Sequence, residues 1–192
     1  MKTNNQLNHS EKMLLLKIAR KAIIDAVNND TLEQIDLENY SPILRKHGSS
    51  FVTLTKRDRL RGCIGAIEAY QPLVLDVQEH AVAAAMEDYR FKTVKKNEIQ
   101  HIQIEVSRLT PMQPLDYSTP DDLIKKINVD VDGVLIKYNG RRATFLPQVW
   151  EKVPDPNQFL SQLCLKMGSA ADLWKNQKIQ IFTYQVDHFK EP

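Results

Sequence analysis

Apolar residues first recur at helical spacing between residues 10 and 28, where Leu15, Ala19, Ala22 and Ala26 share one stripe with charges between them. Ser10 is placed to cap that helix, and the polar residues 1–9 are expected to fray. Residues 29–49 read as a polar connection with one short helix, begun by Ser41-Pro42 and ended by Gly48. The pattern then changes period. Phe51-Val52-Thr53-Leu54-Thr55 alternates β-formers, Lys56 to Arg59 reads as a turn, and Gly62 to Ile67 as a second strand, so 51–67 predicts a hairpin. Pro72 suits the first turn of a helix running to Met86, whose alanine-rich stretch at 81–85 permits close approach to a sheet. Ile102, Ile104 and Val106 alternate with Gln103, Glu105 and Ser107, the pattern of a half-buried strand to Leu109.

Pro111 and Pro114 break this pattern and mark a boundary between lobes. Beyond it, Ser118-Thr119-Pro120-Asp121-Asp122 is a helix start with acids in the first turn. Val134–Tyr138 and Arg141–Leu146 flank Asn139-Gly140, which suits the positive φ angles of a two-residue type I′ turn. Pro154 to Met167 predicts a helix closed by Gly168, and Ile179 to Val186 a final strand. The order of elements predicts an α+β fold of antiparallel sheets flanked by helices. No Gly-x-Gly-x-x-Gly or P-loop follows a strand, so nothing supports a nucleotide fold.

With 192 residues the chain makes one domain or two small lobes, and buries about 70% of its unfolded surface without a metal or disulfide staple. The net charge is +2, from 26 basic and 24 acidic side chains mixed along the chain, which argues against a nucleic-acid binder with a basic stripe. The cluster from Lys56 to Arg61 is short and interrupted by Asp58, and reads as a solvated turn. Lys17, Arg20 and Lys21 follow Met13–Leu16 too closely for a secretory signal or a membrane span. Cys63 and Cys164 stand about 100 residues apart, with no Cys-x-x-Cys and no zinc spacing, so the expectation is a reduced cytoplasmic protein with no metal and no cofactor. Asn128-Val129-Asp130-Val131-Asp132-Gly133 imitates half a calcium loop, but Asn139 stands where the bidentate acid belongs, and a turn entering the hairpin is the better account.

The chemistry concentrates in Leu60-Arg61-Gly62-Cys63-Ile64-Gly65, where two of only six glycines frame a cysteine. Glycine inside a strand marks a bulge or the close approach of a backbone or ligand. Strict alternation puts Arg61, Cys63 and Gly65 on one face and Gly62 and Ile64 on the other. A guanidinium beside a thiol favours the thiolate. Three readings follow: a small cysteine filling space, a binding surface with Arg61 as anion donor beside bare backbone, or a nucleophile with His80 on the next helix as its base.

Those six residues resemble the signature of the AMMECR-one domain family, most closely its stand-alone bacterial members. Phe51-Val52-Thr53-Leu54, Asp88-Tyr89-Arg90-Phe91, Ile104-Glu105-Val106-Ser107, Val131-Asp132-Gly133 and Arg142 to Trp150 extend the likeness, in order, from about residue 12 to the end. The resemblance implies a two-lobed fold with the smaller lobe inserted from the middle of the chain, about 111–175, the larger holding about 1–110 and 176–192, and the signature facing the cleft between them. It carries no established activity. It links such proteins by association with Memo-type and radical-SAM proteins. Carried over, the site is Arg61, Gly62, Cys63, Ile64 and Gly65, with Asp88, Arg90 and Glu105 nearby. Thr144 to Trp150 would line the other wall or simply pack a strand-to-helix corner. The chain departs from the family at Tyr89 and Lys92-Thr93, where prolines are common, and at Lys126-Ile127-Asn128. The resulting expectation is a protein that binds a peptide, protein or metabolite in that cleft, with neither nucleic acid nor membrane as partner. The alternative is a thiol-dependent transferase or hydrolase using Cys63.

Overall fold

Asn8, not Ser10, begins the first helix. Its side chain accepts the Glu11 N–H while Glu11 accepts the Asn8 N–H, a reciprocal box that starts α1 (His9–Asn28). The computed structural model describes residues 6–192, so residues 1–5 of the stretch expected to fray lie outside it, and Leu7 within that stretch is buried. After the short α2 (Pro42–Arg45) the chain enters β1 (His47–Lys56), earlier than its β-formers suggest. Gly48 therefore ends no helix. It sits in the strand because a Cβ there would lie 2.8 Å from that of Leu73.

Arg57 and Asp58, with φ of 51° and 58°, turn the chain into β2 (Arg59–Gly65). The pair β3 (Gln71–Pro72) touches the start of β1 and leads into α3 (Leu73–Met86). A 3-10 segment, Lys96–His101, precedes β4 (Ile102–Leu109). Next come β5 (Gln113–Pro114), α4 (Pro120–Lys126), β6 (Gly133–Tyr138), β7 (Arg141–Phe145), α5 (Pro156–Lys166), α6 (Leu173–Asn176), β8 (Gln180–Tyr184) and β9 (Val186–Lys190). The fold is α+β, its sheets antiparallel and flanked by helices.

The chain forms two compact units, one of residues 1–109 with 187–192, the other of 110–186. The sheet of the first runs β2-β1-β4-β9, with β3 beside β1; the sheet of the second runs β5-β8-β6-β7. The second unit extends past the expected residue 175 because β8 lies inside its sheet. The single strand expected over 179–186 is thus two strands in two sheets. Thr110 and Gln185 hold the crossing point, the Thr110 N–H donating to the Gln185 carbonyl and the Gln185 N–H to the Thr110 hydroxyl.

The first core joins α1 and α3 to the inward residues of β1 and β4, among them Leu15, Ile23, Leu54, Val77 and Ile104. The second centres on Trp150, stacked on Phe159 at 3.6 Å between ring centroids and donating its indole N–H to the Asp132 carbonyl. The Asp132 carboxylate accepts from the backbone and side chain of Asn128, so the segment resembling a calcium loop is a turn closed on itself. Asn139 and Gly140 take φ of 47° and 75°, the type I′ geometry their sequence demands. Among the described residues no helix is long and apolar enough to cross a membrane, and no His, Cys, Asp and Glu side chains gather in threes to hold a metal.

Candidate functional site

The strand carrying the cysteine lies at the edge of its sheet, with α3 packed over it. Both glycines serve contacts inside the protein. A Cβ on Gly62 would sit 2.1 Å from the Ala84 carbonyl oxygen, so only glycine lets the α3 backbone lie this close to β2. A Cβ on Gly65 would sit 2.3 Å from the Ser50 carbonyl and 2.5 Å from the Phe51 ring. The bare sides expected to receive a ligand are therefore covered by protein. Ile64 packs against the first core, as alternation requires.

Alternation fails one residue earlier. Leu54 pairs with Gly62, but Thr55 pairs with Leu60, which leaves Arg61 as the extra residue of a bulge. The bulge places Leu60, rather than Arg61, on the face of Cys63, Thr53 and Thr55. Arg61 turns away to Glu98, with Nε 3.2 Å from Oε1 and Nη2 3.0 Å from Oε2, and Nη2 also reaches the Thr93 carbonyl. Lys56 donates to the same carboxylate at 2.8 Å. Arg61, then Lys56, hold Glu98 down to about 2 against the desolvation that would raise it. The expectation that Arg61 stands beside the thiol and offers a free fork to an anion is thus corrected: the fork is bonded within the protein.

Asp88 and Arg90 close the open edge of β2 at the cysteine. The Cys63 N–H donates to Asp88 Oδ2 at 2.8 Å, and Arg90 Nη2 donates to the Cys63 carbonyl at 3.1 Å. Arg90 also grips Asp88 through Nε at 2.8 Å and Nη2 at 2.7 Å. Two side chains thereby supply the acceptor and donor that a neighbouring strand would otherwise offer. The bonds from Arg90, with the Cys63 N–H, hold the buried Asp88 carboxyl far below the usual carboxylate range. Tyr89 between them is 94% exposed, so its standing in a proline's place leaves the clamp's bonds untouched.

The half-buried Cys63 thiol accepts a hydrogen bond from Thr53 Oγ1 at 3.3 Å. His80 lies on the opposite side of the sheet. It is buried, its Nδ1 3.2 Å from Asp76 Oδ2 and its Nε2 3.3 Å from the Tyr70 hydroxyl, while Asp76 also accepts from Ser50 Oγ at 2.6 Å. Ser50 and Asp76 belong to the layer where α3 meets β1, and Cys63 points the other way. His80 as base for Cys63 is corrected accordingly. Glu105 does share the cysteine's face, since Thr53 pairs with Cys63 on one side and with Glu105 on the other. Among the sequence candidates the structure gathers Cys63, Gly65 and Glu105 on one face and sets Asp88 and Arg90 at its edge. Sequence reasoning missed Thr53 and Leu60 as the thiol's neighbours. In the second unit Thr144 is buried, bonded to the Val134 carbonyl and the Tyr184 hydroxyl, and the Phe145 ring meets Phe159 edge-on at 5.2 Å, a packed corner.

Comparison with known protein families matches AMMECR1 over residues 16–189. The chain belongs to the AMMECR1 family. A relative from Thermofilum pendens is 35% identical over 97% of this chain and 92% of its own length, and one from Methanothermobacter thermautotrophicus is 36% identical over 96% of each. The crystal structure of an uncharacterized protein from Pyrococcus horikoshii superposes with a TM-score of 0.79 at 30% identity, covering 94% of this chain and 91% of that one. These relatives are archaeal. They establish the AMMECR1 family and give no support to the narrower likeness to stand-alone bacterial members. Within this AMMECR1 chain the signature is first an architectural device, a bulged edge strand fitted under one helix and sealed by a carboxylate–guanidinium pair.

Three measurements test that account. Gly62→Ala should lower stability in urea by about 2–3 kcal/mol, the cost of forcing a methyl into a closed contact, whereas Gly140→Ala, in open space at φ +75°, should lose about 1 kcal/mol; equal losses would refute the close-approach role. Asp88→Ala should cost about 2 kcal/mol, discounted for the exposure of Arg90, and produce concentration-dependent self-association in sedimentation as the β2 edge opens; a monomer of unchanged stability would contradict the clamp. The folded value of Glu98 lies below its ordinary one, so its stabilisation is complete above about pH 4.5 and is lost as pH falls toward about 2. The gap in melting temperature between the wild type and Glu98→Gln should accordingly close over that window; a constant gap would show that the ion pair contributes nothing.

Proposed function

We propose that this protein is a binding module that holds a peptide or protein segment against the sheet face bearing Cys63, and that the thiol is a contact there rather than a nucleophile. One observation carries the reading: the bulge at Arg61 sets Leu60, 45% exposed, on the face of Cys63, Thr53 and Thr55, and removes the guanidinium from it. Around the thiol this face carries Leu60, the hydroxyls of Thr53 and Thr55, and the Glu105 carboxylate in the row of Thr53. That chemistry suits an apolar side chain beside a cationic group. The thiol-enzyme alternative loses support because Thr53 is beside the sulfur while His80 is engaged with Asp76 and Tyr70. The two free cysteines fit a cytoplasmic setting. Memo-type and radical-SAM proteins, associated with this family, are the first protein partners to try.

Peptide selection from a displayed library on the immobilised protein tests the proposal. Wild type should enrich peptides whose affinity falls at least about tenfold with Leu60→Asp, while Cys63→Ser changes it by less than about threefold and the melting temperature of both variants stays near that of the wild type. Enriched peptides indifferent to Leu60→Asp would defeat the reading. Rapid iodoacetamide labelling of Cys63 at pH 6, together with loss of binding in Cys63→Ser, would restore the thiol-enzyme alternative.

A further inference from the structure

The exposed side of α1 forms one wall of a groove outside the site described above. Two adjoining cavities, of about 620 and 680 Å3, share Arg20 and Gln100 as lining residues and run between α1 and the 3-10 segment Lys96–His101. On the helix side the lining residues span Met13 to Asn28, which at 1.5 Å per residue is about 22 Å, or about four turns. Leu16 and Ile102 are buried in the floor, Met13 and Ile24 line it, and Arg20 fixes it in place. Arg20 donates to the carbonyls of Ile99 and Ile102 at 2.9 and 2.7 Å and is paired with Glu191.

The charges along this groove are unbalanced. Glu191 is the acidic side chain among its lining residues, and it is satisfied by Arg20 and the Ile104 N–H. Lys17 and Lys96 stand exposed on opposite walls, and neither is in an ion pair among the described residues. A groove that offers Met13, Ile24 and Ile99 between lysine rims complements a helix with one apolar face flanked by acids. We infer that this groove is a docking site for an acidic amphipathic helix of a partner protein, lying alongside α1 with its apolar face on Met13 and Ile24 and its carboxylates at Lys17 and Lys96.

The test uses a fluorescein-labelled amphipathic peptide of leucine and glutamate, about 15 residues long, and its leucine–lysine counterpart, titrated with the full chain and followed by anisotropy. The glutamate peptide should bind, more weakly as salt rises, and the lysine peptide should not. Lys17→Glu and Lys96→Glu, both at exposed positions, should each weaken binding by about tenfold, as should Ile24→Asp. Leu165→Asp, at a residue exposed on α5, should leave binding unchanged. Failure of the glutamate peptide to bind, equal binding of the lysine peptide, or affinity indifferent to the two lysine substitutions would overturn the assignment. The lysine variants decide the matter even where Ile24→Asp does not fold.

Discussion

The contact between the bare α-carbon of Gly62 and the backbone of α3 at Ala84 sets the geometry of the first unit. Because the helix lies directly on the edge strand, Leu54, Val77 and Ala84 belong to one core. Because the helix ends at Met86, just past that contact, Asp88 emerges two residues later level with Cys63. The clamp on the β2 edge is thus a geometric result of where the helix is laid and where it stops. A side chain at residue 62 would lift the helix and carry the carboxylate off the strand with it.

The same layer holds a second polar system that makes no use of the cysteine. Ser50, Asp76, His80 and Tyr70 run from the buried strand through the helix to a half-exposed ring, and Glu79 and Gln71 continue the chain of hydrogen bonds at the surface. One Asp76 oxygen within it is buried without a partner among the described residues, a local cost that packing around it must outweigh. A serine, an aspartate and a histidine in sequence suggest catalysis, but Ser50 is fully buried. Here the trio ties β1 to α3, and Tyr70 joins it from the loop after β2.

Elements governed by neighbours in sequence are legible in the sequence itself: the alternation of Ile102–Leu109, the Asn139-Gly140 turn and the helix stop at Gly168 all follow from local preference. Arrangements decided by tertiary contact are not. The bulge at Arg61 defeats a count that assumes one residue per step, and the arginine's true partner, Glu98, lies 37 residues on with no motif to announce it. Alternation over residues 179–186 could indicate a strand but not that the chain changes sheets at Gln185. The glycines flanking Cys63 signal a close approach, as glycine inside a strand does. What approaches them is a helix backbone and a phenyl ring, whose identity no local pattern contains.

The return of β9 to the edge of β4 has a consequence for how the protein is made. On a ribosome that adds about 5–20 residues per second, all of residues 110–186 must be synthesised between β4 and the strand that covers its flank. For several seconds the nascent first unit therefore carries an unpaired strand border, and Arg20 waits for Glu191. The second unit has its strands β5 to β8 in hand before that border is sealed, so the unit begun first is the one completed last.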